Sequence, residues 1–142
     1  MQRFALSEFF APLPLATVVL LAVNDNMLKP SFHNEVTGKL SDVAVCFLLP
    51  LLISALLAVV WRRYSLVRLV FAAVVTGVIF TALELWQPCQ ALFIKVNLFV
   101  GAPFGIRRVV LTRDLTDLAT LAMLPLAVLY GRRRLAAQPQ DP

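Results

Sequence analysis

The apolar residues of this chain fall into blocks of roughly 20, the length that an α-helix needs to cross a hydrocarbon core of about 30 Å. Only 15% of the 142 residues are charged, whereas a soluble domain usually carries about 25%. A soluble helix would also place polar residues along its outer face, and these blocks do not. The sequence therefore predicts an all-α integral membrane protein.

The apolar blocks predict a four-transmembrane-helix bundle in a single membrane domain that covers residues 1–142. The spans are predicted at residues 9–28, 40–61, 66–86 and 112–130. A more polar segment at residues 90–100 contains Lys95 and Asn97, so we expect an additional interfacial or re-entrant helix between spans three and four. Residues 132–142 are predicted to form a disordered tail.

Basic residues at the ends of the blocks predict the topology. Seven arginines lie on the side that carries both termini, against six lysines and arginines in the longer loops of the other side. Positive charges close to the spans mark the cytoplasmic side, so we predict a multi-pass protein of the bacterial cytoplasmic (inner) membrane, N-in and C-in. A secretory signal peptide is the alternative for the first block, although no A-x-A cleavage site follows it. No basic stripe with interleaved aromatic residues is present, so no nucleic acid partner is expected.

Residues 24–42, NDNMLKPSFHNEVTGKLSD, form a polar island between the first two spans. Pro30 and Gly38 are expected to break helical structure there, so the island is predicted to be the first loop on the outer face. Acids from the other spans fall on the same side and predict a shared, carboxylate-rich pocket. Its candidate residues are Asp25, Lys39, Asp42, Glu84, Gln87, Asp114 and Asp117, with Arg107, Arg108 and Arg113 as candidate anion-contacting residues.

Helical spacing favours this pocket. The second span carries a small and polar residue every four positions, at Asp42, Cys46, Pro50 and Ser54. Membrane helix contacts prefer such residues because the backbones can approach closely. A charge at the centre of the bilayer costs about 2.5–3.5 kcal/mol on insertion scales, so the acids should face protein or water. A structural interpretation stays open beside the binding one: the acids cap helices and pair with one another.

Other kinds of chemistry find little support in the sequence. His33 is the only histidine and no H-E-x-x-H motif exists, so neither a metal site nor a cofactor is predicted. Cys46 has no nearby histidine to activate it, and we expect a packed thiol there. A disulfide between Cys46 and Cys89 is left open, as is the question whether the chain is an enzyme.

Three short motifs resemble those of a family of small bacterial four-span membrane proteins. They are N-D-x-x-L-K at residues 24–29, T-G-K-L-S-D at residues 37–42 and D-x-T-D-L at residues 114–118. The second motif is the most specific, and together they extend the resemblance over most of the chain. It implies a four-span topology and no particular activity.

A more distant similarity is to the VanZ-like membrane proteins, which also have four spans. Glu84-Leu-Trp-Gln87 matches their E-x-x-Q element near the end of the third span, and Asp114 or Asp117 matches the acid that opens the fourth. Their D-K-x-x-H type motif is matched only in part, because Gly38 to Asp42 contain a lysine and an acid without the histidine. This similarity implies a setting in the cell envelope.

These features predict a small polytopic membrane protein that binds or processes a lipid or cell-envelope headgroup at the outer pocket, with membrane lipids as partners. One alternative is a non-catalytic assembly or partner subunit of a membrane complex. Another is a homo-oligomeric transporter or channel subunit, since four spans without internal repeats are too few for most carriers.

Overall fold

A computed structural model describes residues 10–32, 35–61, 65–105, 107–108 and 114–136. About 90% of these residues are helical and none of them forms a strand, which confirms the all-α fold class. Three helices are long and apolar enough to cross a membrane. They are Val36–Leu57, Leu66–Leu85 and Leu115–Arg134. The bundle of four spans stays a prediction.

The helices agree with most of the apolar blocks. They are α1 (Pro12–Val23), α2 (Lys29–Phe32), α3 (Glu35–Leu57), α4 (Ser65–Leu85), α5 (Gln87–Gly101) and α6 (Met123–Ala136). A π-helical turn, Asn24–Leu28, continues α1, and 3₁₀ segments cover Ala102–Phe104 and Leu115–Ala122. The predicted second and third spans coincide with most of α3 and α4, and a helix, α5, does follow the third span. α6 continues past residue 132, where the tail was predicted to begin.

The first apolar block forms a shorter helix than predicted. α1 begins at Pro12 after an extended Ala11 (φ −71°, ψ 158°). Proline is tolerated in a first turn because its missing N–H would have no partner within the helix. With the π-helical turn the apolar part of the helix covers Pro12–Leu28, or roughly 25 Å at 1.5 Å per residue, and α2 continues the helical structure directly to Phe32. The apolar part alone falls short of a hydrocarbon core of about 30 Å.

The polar island is largely helical. Gly38 lies inside α3, which already begins at Glu35, so the prediction that this glycine breaks the helix is wrong. Pro30 is the second residue of α2, which directly follows the π-helical turn, so the prediction that this proline breaks helical structure is wrong as well. Because α3 extends into the island, the directions of Lys39 and Asp42 follow the helical period of α3.

The chain divides into two compact units, residues 1–77 with 120–142, and residues 78–119. The first unit has its apolar core where α3, the beginning of α4 and α6 pack together. The core residues are Phe47, Leu48, Leu51, Leu69 and Ala127. The rings of Phe47 and Tyr130 lie 5.7 Å apart and are tilted by 59°, a geometry that aromatic pairs favour.

Close helix packing in this core depends on Gly131 of α6. A Cβ atom at that position would overlap Cδ2 of Leu69 and lie 3.4 Å from Cδ2 of Leu51. Both leucines are fully buried. The space that a side chain would fill at Gly131 is thus occupied by the ends of two leucine side chains from α3 and α4.

The small and polar stripe of α3 faces the interior, as its spacing predicts. Cys46, Pro50 and Ser54 are buried, and Asp42 is half-buried. Sγ of Cys46 lies 3.5 Å from the hydroxyl oxygen of Thr120. The stripe is therefore a packing surface along most of its length.

Arg68 of α4 is part of the interior, although the sequence suggests only a topology signal. It is 3% exposed, and its Nε donates to the Ser54 hydroxyl at 3.3 Å while Nη1 donates to the Trp61 carbonyl at 2.9 Å. The Trp61 carbonyl follows the end of α3, where carbonyls lack partners and the helix dipole is negative. Arg68 thereby fastens the end of α3 to α4.

Candidate functional site

The first unit contains a buried polar cluster where the end of α1 meets the beginning of α3. Asn24 has no exposed surface. Its Nδ2 donates to the Thr37 carbonyl at 2.7 Å and to the Ser41 hydroxyl at 2.8 Å. The Ser41 hydroxyl in turn donates to Oδ1 of Asp25 at 2.7 Å. These four residues, Asn24, Asp25, Thr37 and Ser41, are named the polar cluster below.

The Asn24 amide has one polar atom left without a partner in the described part of the chain. Both hydrogens of Nδ2 are used, whereas Oδ1, which can only accept, is buried and has no donor among the described residues. An unpaired buried acceptor costs about 1–3 kcal/mol. Most buried polar atoms in proteins are paired with protein or with ordered water. A hydrogen-bond donor placed beside Oδ1 of Asn24 would therefore stabilise the protein.

The π-helical turn Asn24–Leu28 carries half of the polar cluster. In such a turn the N–H groups reach back five residues, so the regular ladder of hydrogen bonds is interrupted. The Asn24 N–H is shared between the carbonyls of Leu20 and Leu21, and Nδ2 of Asn26 donates to the Ala22 carbonyl at 2.8 Å. Single π-helical turns inside α-helices are frequent at functional sites.

Three of the predicted pocket residues belong to the first unit. Asp25 is a member of the polar cluster, and Lys39 and Asp42 are half-buried on α3 beside it in sequence. Lys39 and Asp42 are three residues apart and share one helix face. The first unit thus brings Asp25 to α3, on the segment where Lys39 and Asp42 lie.

The remaining members of the polar cluster were not among the predicted site residues. In the sequence, Asn24 opens the N-D-x-x-L-K motif, and its seven-residue spacing from Thr17 places both residues on one face of α1. Ser41 and Thr37 stand inside the T-G-K-L-S-D motif. Their burial depends on α1 packing against α3, which periodicity does not reveal.

The second unit has polar contacts of its own at the end of α4. Glu84 is 5% exposed, and its Oε2 accepts the Asp114 N–H at 3.1 Å. Oδ1 of Asp114 accepts the N–H of Thr116 at 2.9 Å and the hydroxyl of the same residue at 2.7 Å. Asp114 therefore caps the 3₁₀ segment Leu115–Ala122. This arrangement agrees with the structural interpretation of these two acids.

The other candidates of the second unit are more accessible. Gln87 is exposed at the first position of α5, Asp117 is half-buried in the 3₁₀ segment, and Arg107 and Arg108 are exposed. Arg113 lies outside the described residues, and so does His33, from the polar island. The predicted members of the shared pocket divide between the two units, so that pocket stays a prediction.

Three further side chains among the described residues are polar or reactive. Gln90 of α5, which the sequence does not single out, is 8% exposed and its Nε2 has no acceptor among the described residues. Cys46 in the first unit and Cys89 in the second are both free thiols. The disulfide that the sequence leaves open is not formed in this structure.

No protein-family model matches this chain, and no curated protein or solved structure is significantly similar to it. The resemblances to a four-span family and to VanZ-like proteins therefore stay predictions. What the site does has to be inferred from the geometry of its own residues.

Proposed function

We propose that this chain is a small polytopic protein of the bacterial cytoplasmic membrane that binds a lipid or cell-envelope headgroup at the polar cluster. Three helices of sufficient length and apolarity support the membrane setting. The observation that carries the proposal is the buried Oδ1 of Asn24, which has no donor among the described residues. The proposal is for binding and includes no reaction.

The chemistry of the polar cluster favours a headgroup that donates hydrogen bonds. Oδ1 of Asn24 accepts and cannot donate, so the ligand must supply an N–H or an O–H. Residues 24–42 carry three acids, Asp25, Glu35 and Asp42, against two lysines, Lys29 and Lys39. The site therefore favours a positively charged donor, and a primary ammonium group satisfies both requirements.

Energy also favours a bound donor. Pairing Oδ1 removes a penalty of about 1–3 kcal/mol, and hydrogen bonds in which one partner is charged are roughly twice as strong as neutral ones. Asp25 is exposed while Asn24 is fully buried. A headgroup that enters from the side of Asp25 would therefore place its charge beside a carboxylate and its N–H towards the deeper amide.

The proposal is tested by two lipids whose headgroups carry the same charge, one with N–H donors and the other with N-methyl groups in their place. Phosphatidylethanolamine has three N–H donors on its ammonium group, whereas phosphatidylcholine has the same charge and none. The full chain in nanodiscs that contain both lipids in equal amounts is expected to retain phosphatidylethanolamine in preference, as measured by native mass spectrometry. Equal retention of the two lipids would contradict the proposal.

A matched pair of variants assigns the preference to Asn24. Asn24→Leu keeps the branched shape of the side chain but removes the acceptor Oδ1, together with the two hydrogen bonds that Nδ2 donates, so the preference for phosphatidylethanolamine should disappear. Thr76→Val is the control, because Thr76 is also buried but its hydroxyl donates to the Ala72 carbonyl within α4. Thr76→Val should keep the preference, and an Asn24→Leu variant that keeps it as well would refute the assignment.

A further inference from the structure

We propose that the ligand is a whole lipid, one acyl chain of which lies in an apolar cavity that leads away from the polar cluster between α1 and α3. This inference rests on the proposed function, because it places the headgroup of the same lipid at Asn24. If an acyl chain binds in this cavity, the ligand is a membrane lipid and not a water-soluble amine or sugar with the same headgroup chemistry.

The cavity belongs to the first unit and has a volume of about 190 Å³. Met123, the first residue of α6, closes it on one side. The walls that matter here are Leu13, Thr17 and Leu20 from α1 and Leu40, Ala44 and Phe47 from α3. All of these side chains except Thr17 are apolar, so the cavity offers a hydrocarbon environment.

The face of α1 that lines the cavity also leads to the polar cluster. That face runs through Leu13, Thr17, Leu20 and Asn24. Steps of four, three and four residues keep side chains on one side of a helix. At a rise of 1.5 Å per residue, the axial distance to Asn24 is about 6 Å from Leu20 and about 16 Å from Leu13. One chain of a lipid whose headgroup binds at Asn24 can therefore follow this face.

The corresponding face of α3 meets the polar cluster at the same end. It runs through Thr37, Leu40, Ala44 and Phe47, in steps of three, four and three. The hydrogen bond of 2.7 Å from Asn24 to the Thr37 carbonyl joins the two faces. The cavity walls and Asn24 thus lie on the same two helix faces, with Asn24 and Thr37 following the wall residues Leu20 and Leu40 at that end.

The volume and polarity of the cavity fit a segment of a hydrocarbon chain, the rest of which would lie in the surrounding membrane. An apolar cavity of about 150 Å³ in another protein stays dry and takes up small hydrocarbons, whereas drug-sized ligands need about 300–1,000 Å³. The Thr17 hydroxyl donates to the Leu13 carbonyl at 2.9 Å. Because this hydroxyl already has a hydrogen-bond partner, it does not need a water molecule in the cavity. A second helix, about 10 Å across, is too wide for this space.

Access from the membrane is provided by the walls themselves. Leu13 is 50% exposed and Leu20 is 41% exposed, so the α1 side of the cavity reaches the protein surface. Other apolar side chains of α1 are exposed beside them, among them Val19 at 61%. In a membrane this surface faces acyl chains, and one of them can enter the cavity without crossing a polar layer.

The first test maps the acyl chain directly and needs no variant. The full chain in nanodiscs is exposed to phosphatidylethanolamine that carries a photoactivatable diazirine on one acyl chain, and the labelled residues are identified by mass spectrometry. Label is expected on cavity walls such as Leu40, Ala44 and Met123. A fatty acid with the same diazirine but no headgroup should label these residues much less.

The second test fills the cavity. Ala44 is 3% exposed, and Ala44→Phe is expected to weaken retention of phosphatidylethanolamine about tenfold, which corresponds to about 1.4 kcal/mol. Retention of water-soluble glycerophosphoethanolamine should not change. Ala22→Phe is the matched control, because Ala22 is exposed and nine residues from Leu13, on the opposite face of α1. That variant should bind both ligands like the unaltered chain.

The outcomes separate this inference from the proposed function. In one outcome, phosphatidylethanolamine is preferred over phosphatidylcholine, but it does not label the cavity walls and its retention is unchanged by Ala44→Phe. That result overturns the acyl-chain site and leaves the headgroup site standing. Equal labelling by phosphatidylethanolamine, phosphatidylcholine and the free fatty acid overturns the headgroup site, and with it a lipid anchored at Asn24.

Discussion

The two sides of α3 in the first unit are packed in different ways. On the closed side, towards α4 and α6, fully buried leucines fill the space and Gly131 lets the helices approach. On the open side, towards α1, a cavity of about 190 Å³ and an unpaired amide oxygen remain. From this contrast we infer that packing on the closed side stabilises the fold, whereas the open side has room for a ligand.

The largest loss of stability is expected from Leu51→Ala on the closed side. Leu51 is fully buried in the core, and removing such a side chain costs about 2–5 kcal/mol of unfolding free energy, from lost burial and the cavity left behind. Leu56→Ala on the same helix is the control, since Leu56 is 60% exposed. Denaturation in mixed micelles measures both. Similar losses for the two variants would show that the closed side is not the stabilising core.

A second prediction compares two glycines of the first unit. Gly131→Ala would force its new methyl group against Leu69, and overpacking of this kind costs about 1–3 kcal/mol. Gly38→Ala has nothing within 4 Å of the added Cβ, and replacing glycine by alanine inside a helix stabilises by about 0.5–1 kcal/mol. The melting temperature in detergent should therefore fall for the first variant and rise for the second. Equal shifts would contradict the close approach at Gly131.

A smaller effect on stability is expected on the open side. Ser41→Ala removes the hydrogen bonds between Ser41 and both Asn24 and Asp25, yet Asn24 keeps its bond to the Thr37 carbonyl. The loss should be about 1–3 kcal/mol, because one buried N–H of Asn24 is left without its acceptor, while lipid preference should change strongly. Ser31→Ala is the control, because Ser31 is exposed on α2. A loss as large as that of Leu51→Ala would remove the distinction between the two sides.

Block length was sufficient to predict α3 and α4, because apolar runs of roughly 20 residues have few other stable arrangements in a membrane. It was not sufficient for the polar island. Gly38 was expected to break the helix because glycine has a low helix propensity. However, α3 begins before Gly38 and packs against the end of α1. Such tertiary packing outweighs a weak local propensity.

The site shows a similar limit. The sequence predicts Asp25 and Asp42 as site residues because charge is visible in a sequence. Asn24, which carries no charge, has the unpaired buried atom. Whether a polar side chain is buried and how many of its hydrogen bonds are made depend on the neighbouring helix. Arg68 is a second example. The sequence predicts only a topology signal there, whereas its guanidinium donates hydrogen bonds to the Ser54 hydroxyl of α3 and to the Trp61 carbonyl beyond the end of α3.

Lipid binding at Asn24 is tested most directly by an experimental structure of the full chain in nanodiscs that contain phosphatidylethanolamine. We expect non-protein density with a donor atom about 3 Å from Oδ1 of Asn24, continuous with a chain along Leu20 and Ala44. An Oδ1 paired with a donor from the chain itself, or with an isolated water beside an empty cavity, would contradict it.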